Sequence, residues 1–413
     1  MHRSLVWLVL WEWSVGCAAG AGTGASPAGV RPGIDVLLAD SLHLVRNRRI
    51  GLVTNQAGVD AQGISDVARL QGAGVRIVAL FSPEHGFRGA ADPGAAIASS
   101  VDSATGLPIY SLYGRSSAPT DAMLRDIDVM LVDLQDAGAR YYTYLATTVE
   151  VMKAAARVSV PVMVLDRPNP IGGVVQGNVL EPEFISMVGR LAMPMRHGMT
   201  LGELARLAAA DLGLSTSLTV VPVDGWHRPQ ALDETGLPFI PPSPNLKSIE
   251  SLFHYPGVCL FEGTNLSVGR GTDAPFEQVG APGLDTTAVL AAIREAKLPG
   301  VRFRGVEFTP RRPGEGKFAD TLVTGIRLEV TDRSTYDPTA TAVHLLVAVR
   351  ALYGDRFAWI PAHFDRLAGT RALRTAVEAR TSPRVILEAW KPALNRFLKR
   401  RQPFLLYPPV SPM

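Results

Sequence analysis

The sequence holds only two cysteines, Cys17 and Cys259, so a disulfide-stapled scaffold is excluded and stability has to come from a packed core. No Cys/His spacing suited to zinc occurs, and no His-Glu-x-x-His. No metal or cofactor is therefore expected. No Gly-x-Gly-x-x-Gly follows the first apolar run, which removes the usual dinucleotide fingerprint. The Gly-x-Ser-x-Gly elbow of serine hydrolases is also missing. Charge is nearly balanced, with 41 basic against 38 acidic residues and a net charge of +3, so nothing marks a nucleic-acid partner. Beyond the N-terminus no apolar run is long enough to span a bilayer.

What is present begins with an export signal. His2 and Arg3 precede an apolar stretch over residues 5–15, and small residues follow in Gly16-Cys17-Ala18-Ala19-Gly20. Ser14-Val15-Gly16-Cys17 is similar to a bacterial lipoprotein cleavage box. Two readings stay open: lipid attachment at Cys17, or an ordinary signal peptide cleaved just after it. Either places the mature protein outside the cytoplasm, in the periplasm or the extracellular space. Residues 1–30 are thus signal and linker.

From residue 31 to about 225, short apolar runs at 50–54, 75–81, 129–133 and 160–166 alternate with helical patterns at 66–71, 120–125 and 145–157. A further helix opens at Thr200-Leu201-Gly202-Glu203, a capping box. Unbroken hydrophobicity suits strands buried on both faces. The alternation predicts an α/β fold, a Rossmann-like doubly wound and mostly parallel sheet. After residue 226 the rhythm changes. Pro238, Pro241, Pro242 and Pro244 lead into an apolar, strand-like run over 252–262 that contains Cys259. Strands at 301–308 and 322–330 and helices at 339–352 and 383–400 complete a smaller α+β domain, spanning 226–413, that is expected to complete the cleft.

Four strand ends deliver polar clusters: Asn55-Gln56; Glu84-His85; Asp136 with Arg140, Tyr142 and Tyr144; and Asp166-Arg167 with Asn169. Ligands of open parallel sheets bind outside these carboxyl ends. Amides, carboxylates and guanidinia read sugar hydroxyls, tyrosines stack on ring faces, and glycosidic cleavage needs a carboxyl acid and a second group. Glu84, beyond an apolar strand, is the acid candidate, because burial penalises a charged carboxylate. N-capping or pairing with Arg88 is its bland alternative. His197 stands before the capped helix. The second domain adds Glu262 and Asn265, then Arg270 between Gly269 and Gly271. A guanidinium there suits bidentate carboxylate recognition.

The strings Val53-Thr54-Asn55-Gln56, Ser82-Pro83-Glu84-His85-Gly86-Phe87-Arg88-Gly89, Asp136 to Tyr144 and Asp166-Arg167-Pro168-Asn169-Pro170 resemble the NamZ-type exo-β-N-acetylmuramidases. Arg196-His197-Gly198-Met199-Thr200, Ser243-Pro244-Asn245, Glu262-Gly263-Thr264-Asn265 and Gly269-Arg270-Gly271-Thr272 extend the likeness over nearly the whole mature chain. It departs at Gly283 and at Leu246-Lys247, which bears on the shape of the sugar subsite. The resemblance implies a Rossmann-like domain with a C-terminal auxiliary domain. It also implies removal of terminal β-1,4-linked N-acetylmuramic acid from the non-reducing end of peptidoglycan fragments, muropeptides or disaccharides. Glu84, His85 and Glu262 are then the catalytic candidates. Asn55, Gln56, Asp136, Arg140, Tyr142, Tyr144, Asp166, Arg167, Asn169, His197, Asn245, Asn265 and Arg270 are the substrate-binding candidates. The rival reading from the same rim is a non-catalytic cell-wall sugar-binding lipoprotein.

Overall fold

The structure is a computed structural model and describes residues 29–407. The signal sequence and Cys17 lie outside the described residues. In chain order the first domain holds β1 (Arg49–Thr54), β2 (Arg76–Ser82), β3 (Ser100–Val101), β4 (Pro108–Ser111), β5 (Val129–Asp133) and β6 (Val162–Leu165). A small hairpin of β7 (Gln176–Val179) and β8 (Pro194–Arg196) precedes β9 (Leu218–Val221). Seven strands form one sheet in the order β3-β4-β2-β1-β5-β6-β9. Every pairing in it is parallel except β3 with β4.

Alternation along each strand divides the core. Leu52, Leu131 and Leu165 face one layer, under α1 (Gly33–Asp40) and α2 (Asp66–Gly72). Val53, Val132 and Val164 face the other, where α4 (Tyr144–Arg157) and α5 (Leu201–Asp211) pack, the short α3 (Asp121–Leu124) lying between α2 and α4 in sequence. All six side chains are essentially fully buried, which is why these strands read as unbroken apolar runs. The capping box expected at α5 is formed, with Thr200 Oγ1 accepting from the Glu203 amide and the Glu203 carboxylate accepting from the Thr200 amide. The chain runs from β1 out to β2 and β4, then returns to β5 on the other side of β1. The switch point therefore lies between β1 and β5.

The second domain comprises α6 (Ile249–Val258), β10 (Gln278–Ala281), α7 (Thr286–Arg294), β11 (Val301–Phe308), β12 (Val323–Val330), α8 (Pro338–Tyr353), α9 (Pro361–Ala368), α10 (Ala372–Glu378) and α11 (Pro383–Arg401). Its sheet is antiparallel, in the order β10-β12-β11. The strand-like run at 252–262 is instead α6 followed by a 3-10 turn over Cys259–Gly263. Leu252, Phe253, Tyr255 and Val258 are all buried, and so are Ser251 and His254 between them, so the helix is enclosed from Ser251 onward and shows no apolar stripe. One apolar cluster runs from Val132 and Leu204 through Leu252 and Phe261 to Val343 and Phe364, joining the two domains in a common core.

Candidate active site

A cleft of about 470 Å³ opens between the domains, above the carboxyl ends of β4, β2 and β5. Glu84 follows β2, and its backbone leads straight into His85, whose φ of 69° is left-handed. A non-glycine residue in that region is strained, and such strain concentrates at functional sites. The Glu84 side chain is almost buried. Its Oε1 accepts from the Gly94 amide (2.9 Å) and its Oε2 from the Thr143 hydroxyl (2.7 Å). Tyr113, just past β4, also hydrogen-bonds Glu84, and burial with that neighbouring charge pushes its hydroxyl pKa up.

His85 Nδ1 lies 2.8 Å from the Ala91 carbonyl, which can only accept, so the ring proton sits on Nδ1. Nε2 is left with its lone pair. Burial lowers the imidazole pKa, with the Arg270 charge adding to it and the Ala91 carbonyl and Glu84 opposing.

The facing wall comes from the second domain. Arg270 Nε donates to Glu262 Oε1 at 2.6 Å, while its guanidinium lies over the Phe276 ring at 5.0 Å. Burial alone would raise the Glu262 carboxyl, but Arg270, helped by Lys317, outweighs it and holds the carboxyl below its usual range. The same pairing drives the Arg270 pKa up against the desolvation that would lower it. Nη1 of Arg270 is buried and has no hydrogen-bond partner among the described residues. Lys317 and Glu315, from the connection between β11 and β12, and His363, from α9, complete this wall.

Of the catalytic and substrate-binding candidates named in the sequence, Glu84, His85, Tyr142, Glu262 and Arg270 line the cleft. The others do not. Arg140 is fully buried and spends its guanidinium on the carbonyls of Asn178, Met193, Leu367 and Ala368, so it clamps backbone rather than meeting a ligand. Arg167 pairs with Asp133 (2.5 and 2.9 Å) and with the Val59 carbonyl. Asp166 accepts from Thr200, Gly202 and Tyr407, beneath the start of α5. Asn169 holds the Met199 carbonyl and the Ile171 amide, and His197 Nε2 lies 3.2 Å from Asp136, whose carboxylate also takes the Gly138 amide.

Asn55, Gln56 and Tyr144 act on the proline-rich segment. Gln56 Nε2 donates to the Pro241 carbonyl, Tyr144 and Tyr142 donate to that of Pro242, and Asn55 Nδ2 lies 2.6 Å from the Tyr144 hydroxyl. That segment is a strap fastened by the first domain. Asn265 braces residues 356–358 through Arg356 and Ala358, and Asn245, half-buried, stays outside the cleft wall. Sequence reasoning missed Tyr113, Thr143, Glu315, Lys317 and His363. Only Gly314-Glu315-Gly316-Lys317 carried a signal, a charged pair in a glycine-flanked turn.

Comparison with known proteins decides the family. Residues 50–250 match the N-terminal domain, and residues 253–407 the C-terminal domain, described as "Exo-beta-N-acetylmuramidase NamZ". The chain belongs to the NamZ family. It is 42% identical over 381 residues to the peptidoglycan beta-N-acetylmuramidase NamZ of Bacillus subtilis (strain 168), covering 92% of this chain and 91% of that protein. Two crystal structures of DUF1343 family proteins from Bacteroides fragilis NCTC 9343 share the fold. One has a TM-score of 0.85 at 34% identity, covering 92% of this chain and 99% of its own, and the other 0.76 at 33%, covering 92% and 100%. The NamZ boundary between residues 250 and 253 falls at the start of α6, after the strap.

Proposed function

We propose that this NamZ-family chain is an exo-acting glycoside hydrolase that removes terminal β-1,4-linked N-acetylmuramic acid from the non-reducing end of peptidoglycan fragments. The observation that carries the reading is the cleft itself, where Glu84 and His85 face an Arg270 with a free guanidinium nitrogen. N-acetylmuramic acid differs from N-acetylglucosamine by a lactyl ether ending in a carboxylate. Arg270 supplies the buried cation that such a group needs.

Chemistry follows from the hydrogen-bond roles. The Gly94 amide can only donate, so Glu84 Oε1 stays an acceptor. A proton on Glu84 therefore sits on Oε2, where the Thr143 hydroxyl can turn from donor to acceptor. From there it passes to the glycosidic oxygen as the bond to the muramic anomeric carbon breaks. His85 Nε2 takes a proton from the attacking water, whose oxygen bonds to that carbon. Glu262 holds Arg270 in place.

Glu84→Gln keeps the side chain's size and removes its proton. We expect turnover of an unactivated disaccharide to fall by about a hundred- to ten-thousand-fold, with the variant still folded by circular dichroism. Near-normal turnover would remove Glu84 from the reaction. The chain is further proposed to act outside the cytoplasm, after export through residues 1–20, with Cys17 as the point of lipid attachment. Mass spectrometry of the mature N-terminus should find acylated Cys17. A plain terminus beyond it would refute the anchor alone, and retention of Met1 would refute export.

A further inference from the structure

Glu315 is the cleft carboxyl that the proposed chemistry leaves unused. It sits on the connection between β11 and β12, between Gly314 and Gly316, both at a φ of 75°. These left-handed turns, open to glycine, point the intervening side chain into the cleft. Lys317 fixes the loop from below, its Nζ donating to the carbonyls of Glu262 and Leu266, each at 3.1 Å. The same Nζ lies 3.4 Å from Glu315 Oε2. Oε1 of Glu315 is buried without a partner among the described residues, as is Nη1 of Arg270. A buried polar atom left unpaired costs free energy that a ligand can recover. Two such atoms in one cleft call for a group that answers both.

We infer that Glu315 and Arg270 together form the receptor for the lactyl carboxylate: Glu315, as a carboxylic acid, donates its O–H to one carboxylate oxygen, and Arg270 Nη1 donates to the other. The inference rests on the muramidase reading above. Its consequence is that muramic acid is held more tightly at acid pH. Burial pushes the Glu315 carboxyl up, with Lys317 and Arg270 opposing and Glu262 reinforcing. Asp92 of the first domain faces the same loop, its Oδ1 lying 3.9 Å from where a Cβ on Gly314 would sit. His363 and His85 stand in the same cleft and gain charge as pH falls. The proton on Glu315 is present below its raised pKa and lost as pH rises through it, so affinity for the lactyl carboxylate falls in that direction.

Calorimetric binding of N-acetylmuramic acid and N-acetylglucosamine at about pH 5 and about pH 8 tests this with Glu315→Gln and Glu315→Ala. In the wild type, muramic acid binding should weaken roughly ten- to a hundred-fold between the two values, while glucosamine binding stays flat. Glu315→Gln accepts from Lys317 and donates an amide N–H at either pH, so its binding of muramic acid should change far less between the two values than the wild type's. Glu315→Ala should bind weakly at both. A Gln variant that follows the wild-type pH dependence would assign the effect to a histidine and overturn the inference, as would an Ala variant that binds normally. A wild type with no preference for muramic acid at either pH would instead bring down the muramidase reading, and this inference with it.

Discussion

Arg270 divides its guanidinium between a carboxylate of its own domain and an open position in the cleft. Nε is committed to Glu262, and Nη1 has no partner among the described residues. Arg270→Met removes the free donor and strands Glu262. We expect kcat/KM on a muramide to fall by roughly a hundred-fold or more, and the preference over the matched glucosaminide to shrink with it. Arg270→Lys should recover only part, because a point charge lacks the fork. Matched kinetics on the two substrates measure both effects, and an unchanged preference would place lactyl recognition elsewhere. The flanking Gly269 and Gly271 set Arg270 apart in the sequence from Arg140 and Arg167, but a Gly-Arg-Gly string alone does not say which guanidinium stays open. All three follow strands or turns beside acidic residues. What decides it is how many partners the folded chain gives each. Four backbone carbonyls surround Arg140, and burial lowers its pKa to about 10. Asp133 takes Arg167.

At the scale of elements, hydrophobic pattern sufficed wherever an element was uniform and bounded by clear stops. β5 occupies the same residues as the apolar run at 129–133, and α5 starts at its capping box. Among the elements that escaped, two cases have a clear cause. β4, the β7–β8 hairpin and β9 are three or four residues each, too short for a period to register. α6 is buried on every side from Ser251 onward, so its period is hidden, and Gly257 rather than any stripe explains how it packs. A Cβ on Gly257 would lie 2.0 Å from the Pro338 carbonyl oxygen at the start of α8. Gly257→Ala should therefore push α6 from α8 and destabilise the fold by about 1–3 kcal/mol, seen as a lowered thermal midpoint. An unchanged midpoint would mean that the crossing is looser than it looks. Since α6 leads into the turn carrying Glu262, this packing also sets where the second wall of the cleft stands.

The whole molecule is held closed from several sides. The common core joins the domains behind the cleft, the proline-rich strap is fastened by Gln56, Tyr142 and Tyr144, and the C-terminal segment returns to the first domain. Tyr407 donates to Asp166 at 2.5 Å and accepts from the Val223 amide, and the buried Arg228–Glu203 pair receives the same segment. Most of the remaining polar strand ends brace the first domain internally, while Arg140 clamps carbonyls of the second, and only Glu84, His85 and Tyr142 among the first domain's candidates face the ligand space. Strand order and loop chemistry could be read along the chain, whereas the opposite wall gathers Glu262, Arg270, Glu315, Lys317 and His363 from separate segments that only the folded second domain brings together. The central claim is that this cleft removes one terminal muramic acid at a time, and the most direct test is a time course on a peptidoglycan oligosaccharide labelled at its reducing end. The account predicts that every chain beginning with N-acetylmuramic acid loses that residue alone, as free N-acetylmuramic acid, and that chains beginning with N-acetylglucosamine stay intact. Cleavage at internal bonds, or release of N-acetylglucosamine from the non-reducing end, would contradict it.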